Sequence, residues 1–219
     1  MARKQPATTS KTDKADTAGP RRGTATRKSG KRTAGNIVEA AIDLLGSEAR
    51  GAFTLRAVAQ QAGVSLANLQ YYYPSRDELL HAMFAEFGRR YVAAYESILA
   101  GTQGSARERF GAVIRWNLED ISQRSTRQTF VRLWELLGSL DDYTGRLWGE
   151  LYEVDIGQFV GLIRAMHPEV PAAEIHLRAT FLAAMIEGLM VVQGEPGRRV
   201  RKLGDRMVAQ AFAIADGAS

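Results

Sequence analysis

The hydrophobic positions along the chain repeat with the period of α-helices. From Ile37 to Leu45 they recur three and four residues apart, on one face of a first helix. Similar periods, broken by glycine and proline, predict helices near residues 54–62, 65–73, 75–99, 105–122, 125–139, 143–166, 172–192 and 198–215. No stretch shows the sustained alternation of a half-buried strand. The sequence therefore predicts an all-α protein.

Short polar signals separate these helices. Thr54 is the predicted N-cap of the second helix, and Ser65 is the predicted N-cap of the third. Gly63, between them, supplies a turn in which a positive φ is tolerated. The stretches 75–78 and 105–108 both have Ser followed three residues later by Glu, which predicts capping boxes at the starts of the fourth and fifth helices.

Two short helices joined by a glycine turn are typical of a helix-turn-helix, whose second helix enters the major groove of DNA. We expect Val64, Leu69 and Tyr73 to pack inward. The residues left to face outward are Leu66, Ala67, Asn68, Gln70, Tyr71 and Tyr72. Phenol groups on such a surface are well suited to hydrogen bonds with phosphates. The pattern alone leaves an ordinary corner between two helices as the alternative.

Positive charge is concentrated at the N-terminus. Residues 1–32 hold ten basic and two acidic residues, whereas the rest of the chain has a net charge of −3. Residues 1–31 almost lack large apolar side chains, so we predict a disordered basic tail. We also predict that Arg32, with the basic residues just before it, contacts phosphates or the minor groove of DNA. A tail that only improves solubility is the alternative.

Residues 33–84 resemble the DNA-binding domain of TetR-type transcriptional regulators. The resemblance rests on three stretches, Ile37–Leu45, Phe53–Ser65 and Asn68–Leu80. It implies a helix-turn-helix DNA-binding domain over residues 32–78 and a larger helical ligand-binding and dimerisation domain over residues 79–215. The implied function is sequence-specific binding of double-stranded operator DNA, most simply as a repressor that a small-molecule effector releases. An activator stays open, as does an architectural DNA-binding protein without a ligand.

The resemblance also implies roles for individual residues. Arg56 would reach a base edge, Asn68 would pair with an adenine edge, and Leu66 would contact a thymine methyl group. Phosphate contacts are implied for Thr54, Tyr71, Tyr72 and Arg76. The complete predicted DNA-binding set is Thr54, Arg56, Ser65, Leu66, Ala67, Asn68, Gln70, Tyr71, Tyr72, Arg76 and Arg32. Ala67 stands where the family often has glycine, and Gln70 where it often has tyrosine, so no operator sequence can be carried over.

The C-terminal half carries long helices rich in aromatic residues. In a regulator of this type they would line a ligand pocket, although a plain helical core is the alternative for each. The predicted pocket residues are Trp116, Phe130, Trp134, Trp148, Tyr152, Phe159 and Glu187. A carboxylate within an apolar stretch, as at Glu187, must face solvent, a pocket or a partner. The resemblance implies a homodimer through the last two helices, and a short recognition helix that reads one half-site also calls for two copies.

Several other classes of protein are disfavoured. The chain has no cysteine and three scattered histidines, so we expect no metal site and no cofactor. The Glu-x-x-His pattern of helical di-iron proteins occurs once, at residues 78–81, whereas such sites need it twice. No nucleophile elbow or phosphate-binding glycine loop is present, so we do not expect an enzyme. The lack of a long uninterrupted apolar run and of a secretory leader predicts a cytoplasmic protein without a membrane segment.

Overall fold

In a computed structural model of the protein, the structure describes residues 22–46, 53–138, 144–192 and 198–218. These residues form nine α-helices and no strand. The helices are α1 (Arg22–Gly46), α2 (Leu55–Gln61), α3 (Leu66–Tyr72), α4 (Arg76–Gly101), α5 (Ala106–Ser122), α6 (Arg124–Gly138), α7 (Thr144–Met166), α8 (Ala172–Val192) and α9 (Arg198–Asp216). The all-α prediction is confirmed.

Hydroxyl side chains begin four of these helices. The side-chain oxygens of Thr54, Ser65, Ser75 and Ser105 each accept a hydrogen bond from the backbone N–H three residues later. At Ser105 the capping box is complete, because Glu108 Oε2 also accepts from the Ser105 backbone N–H at 2.7 Å. At Ser75, the described hydrogen bonds do not include the second bond of a capping box, in which the Ser75 backbone N–H would donate to the Glu78 carboxylate. The predicted helix starts at these residues are therefore confirmed, and one of the two predicted capping boxes is complete.

The first helix begins earlier than the sequence predicts. Disorder was expected up to residue 31, but α1 starts at Arg22, and Thr33 Oγ1 donates to the Ser29 carbonyl oxygen at 3.1 Å within it. The apolar period reports buried faces, and none of residues 29–36, whose burial is described, is buried. Residues 22–31 carry no apolar stripe, so this part of α1 leaves no such period in the sequence, and the disorder expected there differs from the helix that the structure describes. Residues 1–21 of the predicted tail lie outside the described residues.

The helices enclose two hydrophobic cores. The first, near the N-terminus, joins residues of α1, α2 and α3 with the first three turns of α4, including the fully buried Ile37, Leu69 and Met83. The second joins α4, α5, α7, α8 and α9 around residues such as Phe110 and Phe159. The predicted domain boundary at residue 78 lies inside α4, whose residues from Leu79 to Phe87 pack in the first core.

Helix α8 is long and apolar enough to cross a membrane, judged by length and composition alone. Its apolar run is interrupted by charged residues, among them Arg178 and Glu187. Seven of its residues are buried, and they pack in the second core of the protein: Ile175, Ala179, Leu182, Ala183, Ile186, Leu189 and Met190. This packing is that of a core helix in a folded domain.

The turn between α2 and α3 depends on a glycine. Gly63 has a φ of +66°, in the left-handed region that costs an L-residue with a Cβ about 1–2 kcal/mol. We therefore expect Gly63→Ala to lower the free energy of unfolding by about 1–2 kcal/mol. Gly35→Ala is the control, since Gly35 lies within α1 with no atom within 4 Å of an added Cβ. It should instead stabilise the protein by about 0.5–1 kcal/mol. Urea unfolding of both variants checks the opposite signs, and equal effects would contradict this account.

Candidate nucleic-acid interface and buried cavity

Helices α2 and α3 are joined by a closely specified turn. The Val64 N–H donates to the Ala59 carbonyl at 3.0 Å, and the Gly63 N–H donates to the Gln60 carbonyl at 3.2 Å. These two bonds form a Schellman motif that ends α2 at a glycine of positive φ. Ser65 then caps α3 by accepting from the Asn68 N–H at 3.1 Å. The two helices and this turn form a helix-turn-helix.

Helix α3 has one buried anchor and an exposed polar face. Leu69 is completely buried in the first core, as the sequence predicts. The exposed side chains of this helix are Ala67, Asn68, Gln70 and Tyr71. Tyr71 is 80% exposed, an unusual state for a large aromatic ring. Leu66, expected to face outward, is partly buried.

The three consecutive tyrosines have three different environments. Tyr73 packs against the first core, and its hydroxyl donates to the Ala34 carbonyl of α1 at 3.2 Å. Tyr72, expected to face outward, is partly buried, and its hydroxyl would lie 3.6 Å from a Cβ added at Gly30. The correction follows from the longer α1, whose N-terminal turns cover this ring. Only Tyr71 extends freely from the described surface of α3.

The remaining predicted DNA-contacting residues lie around these helices. Thr54 and Arg56, at the start of α2, are exposed, as is Arg32 of α1. Arg32 lies between Gly30 and Ala34, the two α1 positions that approach Tyr72 and Tyr73, so it is close to the C-terminal end of α3. Arg76 is partly buried, and its Nε is a buried atom with no hydrogen-bond partner in the described part of the chain.

A cavity of about 50 Å³ lies between α4, α5, α6, α7 and α8. Its walls are mainly apolar, with Phe87, Phe130, Leu133, Ile186 and Met190 among them. Polar groups also line it, from Tyr91, Asn117, Tyr152, Asp155, Gln158 and Glu187. A neighbouring cleft of about 300 Å³ shares the Phe87, Tyr91 and Phe130 side chains with this cavity.

The predicted pocket residues divide into three groups. Phe130, Tyr152 and Glu187 line the cavity. Trp116 and Trp134 lie in the surrounding aromatic cluster, where Trp116 stacks edge-on against Tyr91 and Trp134 packs beside Phe130. Phe159 is fully buried in the second core, so its plain packing role is the one observed. The side chain of Trp148 lies outside the described residues.

Three polar residues of the cavity, Asp155, Asn117 and Tyr91, were not among the pocket residues predicted from the sequence. Asp155 lies in α7 between buried Ile156 and partly buried Tyr152, and Asn117 is 3% exposed within α5. The signal that singled out Glu187, a carboxylate within an apolar helix, is also present at Asp155. Tyr91 shows no comparable signal, because a tyrosine in a helical period is indistinguishable from an ordinary core residue.

Hydrogen bonds connect the polar groups of the cavity. The Tyr95 hydroxyl lies 2.8 Å from Asn117 Oδ1 and 3.2 Å from Asp155 Oδ1, so its single hydrogen is shared between two acceptors. The Tyr152 hydroxyl donates to Glu187 Oε2 at 3.2 Å and accepts from Trp134 Nε1 at 3.4 Å. Each cavity carboxylate thus receives one tyrosine hydroxyl among the described contacts.

The cavity disfavours negative charge. Burial raises the pKa of Asp155 from 3.8 to about 6 and that of Glu187 from 4.5 to about 7, and the hydrogen bonds from Tyr95 and Tyr152 offset this only in part. Repulsion from Asp155 also raises the pKa of Glu187. Burial, followed by the charge of Asp155, raises the pKa of Tyr95 well above 10.0. The two carboxyl groups are therefore close enough to interact in a poorly solvated space.

Comparison with known proteins relates the first core to bacterial regulators. Residues 37–83 match the family of bacterial regulatory proteins, tetR family. The chain is 44% identical over 54 residues to an HTH-type transcriptional regulator from the dhlA 5′ region of Xanthobacter autotrophicus. That match covers 25% of this chain and 27% of the relative.

The whole fold is also found in solved structures. A TetR transcription regulator from Haloarcula marismortui ATCC 43049 aligns with a TM-score of 0.64 and 16% identity, covering 85% of this chain and 98% of that chain. A TetR-like transcriptional regulator from Rhodococcus sp. RHA1 aligns with a TM-score of 0.56 and 22% identity, covering 83% and 94% respectively.

The geometry of α2, α3 and their turn places the chain in the class of helix-turn-helix proteins. Within that class, residues 37–83 match the tetR family of bacterial regulatory proteins, and the chain shares its all-α fold with solved TetR-type regulators. This confirms the resemblance seen in the sequence. It also groups the chain with regulators rather than with enzymes.

The raised pKa of Glu187 leads to a prediction for stability. Its folded-state pKa of about 7 exceeds the unfolded value, so the stabilisation that the protonated group has below pH 4.5 is lost as the pH rises through 7. Glu187→Gln carries no such charge. We expect the free energy of unfolding of Glu187→Gln, relative to that of the unsubstituted protein, to increase by about 3 kcal/mol from pH 4.5 to pH 8.

Urea unfolding at several pH values measures this difference. The control is Glu153→Gln, which removes an exposed carboxylate from α7, the helix that packs against α8. Its effect should vary by less than about 0.5 kcal/mol over the same range. Parallel pH profiles for Glu187→Gln and the unsubstituted protein would show that the carboxyl group is not desolvated.

Proposed function

We propose that the protein is a sequence-specific DNA-binding regulator that a small molecule releases from its operator. The observation that carries the DNA-binding part is the organisation of α3. Leu69 anchors this helix in the first core, while Asn68, Gln70 and Tyr71 extend from its exposed face. Such a face fits the major groove, where amide side chains can recognise base edges.

Each exposed group has a plausible partner on DNA. Asn68 can pair with the N6 and N7 atoms of adenine, and Gln70 has the same chemistry at another base. Tyr71 and Thr54 can donate hydrogen bonds to phosphate oxygens. Arg56 at the start of α2 is exposed and can reach either a phosphate or a base edge. The Nε of Arg76 lacks a described partner, which is consistent with a phosphate contact.

The residues near α3 are not basic enough to supply non-specific affinity. Residues 33–80 hold three basic and five acidic residues, whereas residues 1–32 hold ten basic and two acidic ones. Lys31 and Arg32 are exposed on the part of α1 next to the end of α3. We therefore assign much of the salt-dependent attraction to the N-terminal basic residues.

The regulator would act as a homodimer, since one short helix reads only one half-site. Helix α8 supports this assembly, because several of its large apolar side chains are exposed to solvent in the single chain. Phe181 is 62% exposed and Val192 is 76% exposed, and Leu177 and Val191 are also exposed. A second copy packed against α8 and α9 would remove this surface from water.

The cavity between α4 and α8 is the proposed effector site. Its wall includes Phe87 and Leu133, which belong to the first core, so a ligand there would press on the helices that carry the DNA-binding domain. A change in the spacing of the two α3 helices would lower affinity for the operator. Repression by occlusion of a promoter is the simplest outcome of such binding, and a cytoplasmic location follows from it.

Selection from a random duplex library tests sequence-specific binding. We expect enrichment of a two-half-site sequence, bound about a thousandfold more tightly than random DNA in fluorescence anisotropy. Asn68→Ala should weaken binding to the enriched duplex by about tenfold or more while leaving random DNA unaffected. The control, Gln103→Ala, changes an exposed amide in the α4–α5 loop and should change neither. Failure to enrich any sequence would favour an architectural DNA-binding protein.

The salt dependence of binding tests the role of the basic residues. The double variant Lys31→Ala/Arg32→Ala should reduce the slope of log K against log[salt] by about 2, because each lost phosphate contact contributes about 0.9. Arg109→Ala/Arg164→Ala is the charge-matched control, and its two exposed residues lie on α5 and α7. An unchanged slope for Lys31→Ala/Arg32→Ala, or an equal reduction of the slope in both double variants, would show that these residues of α1 do not contact DNA.

A further inference from the structure

The cavity brings two carboxyl groups together without a basic side chain among its described lining residues. Asp155 and Glu187 both line it, and none of the described lining residues is Lys, Arg or His. Arg90, which lines the neighbouring cleft, is paired with Glu39 and Glu86. Buried carboxylates are normally paired with a cation or fully hydrogen-bonded, because their desolvation is costly.

The described hydrogen bonds give each of these carboxyl groups one donor. The Tyr95 hydroxyl has one hydrogen and two acceptors, Asn117 Oδ1 at 2.8 Å and Asp155 Oδ1 at 3.2 Å. Glu187 receives the Tyr152 hydroxyl at 3.2 Å. Each carboxylate can accept several hydrogen bonds, and the described contacts supply one tyrosine hydroxyl to each.

The rest of the lining is aromatic and apolar. Tyr91 and Phe130 line both the cavity and the neighbouring cleft, with ring centroids 6.2 Å apart, and the Trp116 ring lies 5.6 Å from that of Tyr91. The faces of such rings attract cations and also pack against apolar groups. A cavity lined by two carboxylates and by aromatic rings is complementary to a molecule with a positive head and an apolar body.

We propose that the effector is an organic cation whose ammonium group lies between Asp155 and Glu187, with its apolar part against Tyr91 and Phe130. The proposal rests on the proposed function, in which this cavity is the effector site. The cavity of about 50 Å³ has room for an ammonium group, and the adjoining cleft of about 300 Å³ has room for the remainder. An anionic ligand would meet two like charges, and a neutral ligand would leave both carboxylates unbalanced. A metal ion is a poorer fit, since no group of three His, Asp or Glu side chains suited to a metal occurs among the described residues.

Three probes of similar shape and different charge test this proposal. They are 2-phenylethylammonium, 2-phenylethanol and 3-phenylpropanoate, titrated into the full chain by isothermal calorimetry at pH 8, where both carboxyl groups are ionised. We expect the cation to bind about tenfold or more tightly than the alcohol, and the anion to bind least tightly. Equal or weaker binding of the cation relative to the alcohol, including no binding of either, would overturn the proposal.

Two isosteric variants locate the charge. Asp155→Asn and Glu187→Gln should each weaken binding of the cation by about tenfold while changing binding of the alcohol by less than about twofold. The control Glu153→Gln removes an exposed acid of α7, the helix of Asp155, and should leave binding of the cation and of the alcohol unchanged. Both cavity variants should fold, since each removes a buried charge, and circular dichroism and thermal unfolding verify this. Cation binding that is unchanged in folded Asp155→Asn and Glu187→Gln would also overturn the proposal.

The failure of this proposal can be distinguished from failure of the proposed function, because ligand binding is measured without DNA. Selective cation binding that depends on Asp155 and Glu187 supports the ligand class even if the protein enriches no DNA sequence. Conversely, operator binding without cation selectivity overturns the ligand class and leaves the DNA-binding function intact.

Discussion

The packing of Phe130 on both hydrophobic cores is the contact on which the rest of the structure depends. Its ring lies 6.1 Å from Phe87 of the first core and 6.5 Å from Trp134 beside the second. Two residues further along α6, the Arg132 guanidinium donates to the Leu45 carbonyl near the C-terminal end of α1 at 3.0 Å. Helix α6 is therefore attached to the helix-turn-helix domain and to the cavity wall at once, and neither can move far without the other.

The second core is less stable than an entirely apolar one would be, because it contains polar groups. Apolar residues at the positions of Asp155 and Glu187 would avoid the desolvation that raises the pKa of each carboxyl group. Asn117 and Tyr95, both almost completely buried, satisfy one another through the 2.8 Å hydrogen bond and so cost less. Asp155 and Glu187, whose desolvation is only partly offset by hydrogen bonds, both line the cavity. That distribution is what a binding site requires and what a core built only for stability would lack.

Much of the fold could be predicted because burial leaves a period in the sequence. Helix starts at Thr54, Ser65 and Ser105 followed from the chemistry of capping, and the turn at Gly63 followed from its conformational freedom. The early turns of α1 could not be predicted in this way, since their sequence carries no apolar stripe. The exposed face of α3 could be assigned from its period, whereas Tyr72 could not, because the part of α1 that covers it was not expected. The cavity was the least predictable part, since it depends on how five helices that are distant in sequence pack together.

The placement of the tryptophans determines what optical spectroscopy can observe. All three tryptophans lie after residue 115, so the helix-turn-helix contains none. Trp116 contacts the Tyr91 and Tyr95 rings, and Trp134 Nε1 donates to the Tyr152 hydroxyl beside the cavity. Intrinsic tryptophan emission is therefore a built-in probe of the C-terminal core. The chain also has no cysteine, so a single cysteine introduced on the exposed face of α3 would accept a thiol-reactive dye at that position only and give the DNA-binding face a separate signal.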